Sequence, residues 1–69
     1  MTREEVIKTI SEVNKRHRER VGFNACRING FIFISDEYDF IFTDEYLEIK
    51  HKPTHYFQLI AYYNIKEIS

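Results

Sequence analysis

The chain has 69 residues, of which 43% are hydrophobic and 16% aromatic, with 10 basic and 11 acidic side chains and a formal net charge of −1. So apolar a composition excludes a disordered chain, and the near balance of charge argues against holding nucleic acid by bulk attraction alone. The length predicts one domain over residues 1–69 with a marginal core, because a chain this short buries only about 60% of its unfolded surface.

Residues 2–20 read as a helix. Thr2 is the cap, and Glu5 three residues later completes a capping box. Glu4 and Glu5 in the first turn, and Lys15, Arg16, Arg18 and Arg20 near the end, suit the helix dipole. Val6, Ile7, Ile10 and Val13 form one apolar stripe. The tail "NKRHRERVG" has little apolar surface and is expected to extend past whatever the stripe covers, with Gly22 as the stop.

From Phe23 onward the hydrophobic period is two. "FNACRINGFIFIS" predicts a hairpin, because Asn29-Gly30 suits a type I′ turn with positive φ at both positions. "YDFIF" and "YLEIKHK" predict two more strands. Pro53 breaks the pattern, and "YFQLIAYYNIKEI" predicts a last strand with an interruption near Asn64. The fold class expected is therefore α+β, with one N-terminal helix packed on a four- or five-stranded antiparallel meander.

The near-repeat "SDEY" and "TDEY", eight residues apart, reads as two turns: Ser35 opposite Tyr38 and Thr43 opposite Tyr46. Asp36, Glu37, Asp39, Asp44, Glu45 and Glu48 put six acids within thirteen residues, but exposed turn acids lack the cleft that acid–base catalysis needs. An acidic, tyrosine-bearing patch imitating nucleic-acid phosphates is a weaker alternative, since the helix tail is basic. Alternation then sorts the strands into two faces. One collects Cys26, Ile28, Phe31, Phe33, Tyr38, Phe40, Phe42, Leu47 and Ile49, continued by Phe57, Leu59, Ala61 and Tyr63, and is the expected seat of the helix. The opposite face carries Ile32, Ile34, Ile41, Tyr46, Tyr56, Ile60 and Tyr62, too apolar for a solvated face, and is the expected interaction surface.

His51 and His55 are four apart but flank Pro53, with no third ligand in view, so they read as a loop and not a metal site. Cys26 is the only cysteine. It rules out an internal disulfide, fits a reducing compartment, and reads as a buried structural thiol. Residues 14–20, "NKRHRER", form the only basic cluster. Lys15, Arg16, Arg18 and Arg20 are candidate contacts for an anionic partner, without stacking aromatics beside them. No phosphate loop, dinucleotide fingerprint or nucleophile elbow occurs, so no catalytic residue, cofactor or metal is expected. No segment reads as a signal peptide or membrane span, which predicts a cytoplasmic protein.

The order of a helix followed by a bent antiparallel meander resembles Sm-like barrels, which implies a sheet partly closed into a barrel. The paired glycine-containing motifs of those RNA binders are absent here. The ending "IAYYNIKEI" resembles the last strands of pleckstrin-like sheets, without their C-terminal helix. Neither resemblance carries a function. The expectation is a small, non-catalytic protein-interaction module and homodimer, since a domain without disulfides gains most from a partner. Heavy use of Ile, Phe, Tyr, Asn and Lys, residues with AT-rich codons, suggests a phage or mobile-element inhibitor of a host or defence protein. The alternative is a nucleic-acid-binding or regulatory protein using residues 14–20.

Overall fold

The computed structural model describes residues 1–69 and shows one N-terminal helix and five antiparallel strands in two sheets, an α+β fold. Helix α1 runs Arg3–Val21. Its start is the expected capping box: the Thr2 hydroxyl accepts from the Glu5 amide at 3.2 Å, and the Glu5 carboxylate accepts from the Thr2 amide at 2.9 Å. Those bonds favour the ionised carboxyl and lower the Glu5 pKa. Gly22 closes the helix at φ +93°, a left-handed conformation that glycine adopts without strain.

Strands β1 (Ala25–Ile28) and β2 (Phe31–Ile34) form the first sheet. Their turn has φ of 49° at Asn29 and 86° at Gly30, as the type I′ geometry requires. Strands β3 (Tyr38–Phe42), β4 (Tyr46–His51) and β5 (Phe57–Ala61) form the second sheet, in that order. A 3-10 turn at Tyr62–Asn64 interrupts the last segment where Asn64 suggested a break. Beyond it the chain returns to β1. Arg27 and Ser69 exchange backbone hydrogen bonds of 2.7 and 2.9 Å, the Asn29 amide donates to Glu67 at 3.0 Å, and Ile28 bridges Ile68. β1 therefore has a backbone neighbour on both sides.

The two DEY segments differ. Thr43 and Tyr46 close a tight hairpin, with the Thr43 amide donating to the Tyr46 carbonyl at 3.0 Å and the Thr43 hydroxyl to the same carbonyl at 2.8 Å. At Asp36-Glu37 a turn also forms, with Glu37 and Tyr38 amides donating to Ile34 and Ser35. It does not open a ladder, however, because β2 pairs with β1 and β3 with β4. It is a bend that sends the chain from one sheet to the next.

α1 packs across both sheets. Val6, Ile10 and Val13 meet Cys26, Ile28 and Phe33 of the first sheet, Leu47 and Ile49 of the second, and Tyr62 and Ile65 from the C-terminal segment. Phe33 meets Tyr38 and Phe40 edge to face, with centroids 5.1 and 6.3 Å apart, joining the sheets through aromatic contact. Side chains on the β-strands of the expected core face lie as predicted up to Ile49, except Phe31, which is exposed at the hairpin tip.

In β5 the faces are the reverse of the expectation. Leu47 stands opposite Ile60, and Glu48 opposite Leu59. Ile60 therefore packs against the core, whereas Phe57, Leu59 and Tyr63 are exposed. The cause is the loop after β4. The His51 amide donates to the Tyr56 carbonyl at 2.7 Å, the His55 amide to the His51 carbonyl at 2.8 Å, and His55 takes φ +63°. His51 and Tyr56 thus flank the loop on one face, and a one-residue change of register moves every following side chain to the other side.

Candidate interaction surfaces

Seven residues were expected to share one mixed face, and the structure divides them among four places. Tyr62 is in the core, 6% exposed, and its hydroxyl donates to the Thr43 carbonyl at 2.6 Å. Burial lifts its phenol above the usual tyrosine range, partly offset by Arg3. Ile60 is half-buried beside it against the core. Both therefore lie on the helix side of the fold and not on the outer face. Tyr56 is 78% exposed at the open end of the second sheet, over a shallow depression shared with Tyr38, His51 and Gln58. There His51 Nδ1 lies 2.7 Å from the Thr54 hydroxyl, and its Nε2 is 3.9 Å from Glu37.

Ile32 and Ile34 sit on β2 opposite Arg27 and Ala25. Ile32 is exposed and Ile34 half-buried. Ile41 and Tyr46 lie on the side of the second sheet turned away from α1, because their neighbours Phe40, Phe42 and Leu47 point to the core. That outer face is continuous across three strands. Ile41, Glu48 and Leu59 form one row, Asp39, Lys50 and Phe57 the next, and Tyr46 stands beside Ala61. Ile41 is 44% exposed, Leu59 51% and Phe57 63%. Sequence alternation missed Phe57 and Leu59 as surface residues because it carried the wrong parity through the Pro53 loop.

β5 is also the edge of its sheet, with β4 on one side and no strand on the other. Its sequence, FQLIA, contains no charge and no proline. Natural edge strands usually carry such residues, or a bulge, to discourage pairing with another chain.

A second surface lies over the first sheet. A groove of about 530 Å³ runs between the C-terminal half of α1 and β1, lined by Arg16, His17 and Arg20 from the helix, Arg27 from β1, and Ile32 and Ile68. The helix end is exposed, as its composition suggested, and one side of it borders this groove. Arg16 and Arg20 line the groove and Lys15 and Arg18 lie outside it, and all four are exposed. His17 is held by the Phe23 carbonyl, 2.7 Å from Nδ1, with the Phe23 ring edge-on at 4.8 Å.

Cys26 is 2% exposed, and burial pushes its thiol up to about 11. No three His, Cys, Asp or Glu side chains come together as a metal-binding group, and no helix is long and apolar enough to cross a membrane. Comparison with protein-family models, with characterised proteins and with solved structures finds no match.

Proposed function

We propose that this chain is a small, non-catalytic protein-interaction module that pairs with a second copy of itself through the outer face and free edge of β5. One observation carries this reading. Ile41, Phe57 and Leu59 are exposed together on the sheet whose edge strand is uncharged and unpaired. Exposed apolar area of this kind marks an interface. An unprotected edge supplies the backbone donors and acceptors for strand addition.

The sequence of β5 favours a second copy over an unrelated strand. Antiparallel pairing centred on Leu59 places Leu59 against Leu59 and Phe57 against Ala61, a large side chain against a small one. No charged residue of β5 meets its like. The two sheets would join into one of six strands, with Leu59 and Phe57 adjoining Leu59 and Ala61 of the second copy across the junction. Tyr46 stands beside Ala61, where its amphipathic ring suits a partly wet rim. A role as an inhibitor of a host or defence protein, encoded by a phage or mobile element, accords with a compact interaction domain of this composition. The dimer is the testable core of the proposal, and the test is the mass in solution of the native chain beside Leu59→Glu.

A further inference from the structure

We infer that the groove between α1 and β1 binds an acidic peptide segment of a partner protein. The helix face that packs on the sheet begins as Val6, Ile10 and Val13, all buried. The same stripe, continued at spacings of four and three, becomes His17 and Arg20, with Arg16 beside them. The stripe therefore ends in polar side chains, with the arginines Arg16 and Arg20 where a purely structural helix would continue apolar. Arg27 faces them from β1 in the same groove.

No acidic side chain answers these charges; Ser69, the last residue, also lines the groove and exchanges backbone hydrogen bonds with Arg27. None of the lining residues is acidic. The ion pairs of the molecule join Arg3 to Glu4, His51 to Glu37 and Lys52 to Asp39, and none involves Arg16, Arg20 or Arg27. Arg16, Arg20 and Arg27 line one groove with no ion pair to an acidic side chain, and an anionic ligand would supply the counter-charge. Arginine is suited to the task, because its planar fork takes a carboxylate or phosphate in bidentate fashion. The volume falls within the range of about 300–1,000 Å³ usual for ligand sites.

The rest of the lining separates a peptide from a nucleic acid. Val13, Ile32 and Ile68 give the groove aliphatic walls, which suit apolar side chains between acidic ones. Bases need aromatic platforms, and the only ring in the lining is His17, already edge-on to Phe23. A polyanion would also meet the field of a chain with six acids between Asp36 and Glu48 and a net charge of −1. A short peptide bearing a few carboxylates does so far less. This site lies apart from the β5 surface and stands whether or not the chain dimerises.

The test is titration of the full chain into a short fluorescein-labelled peptide of glutamate and leucine, followed by anisotropy, with a thymidine oligonucleotide of equal length in parallel. Circular dichroism melts establish that each variant is folded. The peptide should bind more tightly than the oligonucleotide. Arg20→Gln with Arg27→Gln should weaken peptide binding by about tenfold or more, equivalent to about 1.4 kcal/mol. Lys15→Gln with Arg18→Gln, which removes the same charge outside the groove, should change it by less than about twofold, under about 0.4 kcal/mol on the same scale. Equal losses in the two variants would mean general attraction and overturn the site. Tighter binding of the oligonucleotide would assign the groove to nucleic acid instead. No saturable peptide binding would also overturn the inference.

Discussion

The Tyr62 hydroxyl donates a 2.6 Å hydrogen bond to the Thr43 carbonyl, nineteen residues earlier in the chain. That carbonyl also accepts from the Arg3 guanidinium at 3.2 Å. The β3–β4 hairpin, the start of the helix and the turn after β5 therefore meet at one backbone oxygen. Tyr62→Phe should keep the ring packing and lose one bond, a cost of about 0.5–1.5 kcal/mol. Tyr62→Ala should cost about 3–5 kcal/mol through the cavity it leaves. Urea unfolding of the three proteins measures both steps, and equal stability of all three would show that Tyr62 is not part of the core.

Asn29 serves the fold twice. It takes φ +49° in the β1–β2 turn, and its side chain ties the C-terminal segment to that turn. Its Nδ2 donates to the Asn64 carbonyl at 2.9 Å, and its Oδ1 accepts from the Lys66 and Glu67 amides at 2.7 and 3.3 Å. Asn29→Ala should lose about 1–3 kcal/mol, a large share of the roughly 3–10 kcal/mol expected for a domain of this size. Hydrogen exchange should speed up at Lys66 and Glu67 first. Unchanged protection at those amides would mean that the segment is held without Asn29.

Cys26 should be inert in the folded chain. With its thiol pushed up to about 11, almost no thiolate exists at neutral pH, and although Cys26 borders the groove beside α1 it is only 2% exposed. Iodoacetamide should alkylate it only once the chain is unfolded in guanidinium. The sign of the linkage follows. Folding keeps the thiol protonated above its ordinary value of 9.0, so the stabilisation is complete below that pH and is lost as pH rises towards 11. Rapid alkylation of native protein would contradict the buried placement.

The turn acids should be dispensable for folding. Glu37 comes within 3.9 Å of His51 with its side chain 55% exposed, a pair worth little in water. Changing Asp36, Glu37, Asp44 and Glu45 to their amides should leave stability within about a kcal/mol, as surface changes usually do. A much larger loss in a thermal melt would give these acids a structural role that their exposure does not suggest.

Local chemistry in the sequence was enough for much of this fold. The Thr2–Glu5 box, the Gly22 stop, the Asn29-Gly30 turn and the hydrophobic period located the helix and every strand, because each is decided by a few neighbouring residues. Two long-range features were not legible. The bend at Asp36-Glu37 has the composition of a hairpin turn, and only the pairing of β2 with β1 and of β3 with β4 reveals it as a passage between sheets. The parity of β5 depends on how the loop around Pro53 closes, and His55 at φ +63° sets that. Ile60 and Tyr62 consequently moved from the expected surface into the core region, and Phe57 and Leu59 moved out of it. Arg27 joins Arg16 and Arg20 only because β1 lies beneath the helix end, a contact that no local spacing records.

Mass in solution tests the proposed dimer most directly. Light scattering across a hundredfold dilution, about two decades in protein concentration, should show the native chain passing from dimer to monomer. Leu59→Glu should place two like charges at the centre of the β5 pairing and remain monomeric throughout, with an unchanged helix signal in circular dichroism. A native chain that is monomeric at every concentration, or a Leu59→Glu variant that dimerises equally well, would contradict the account.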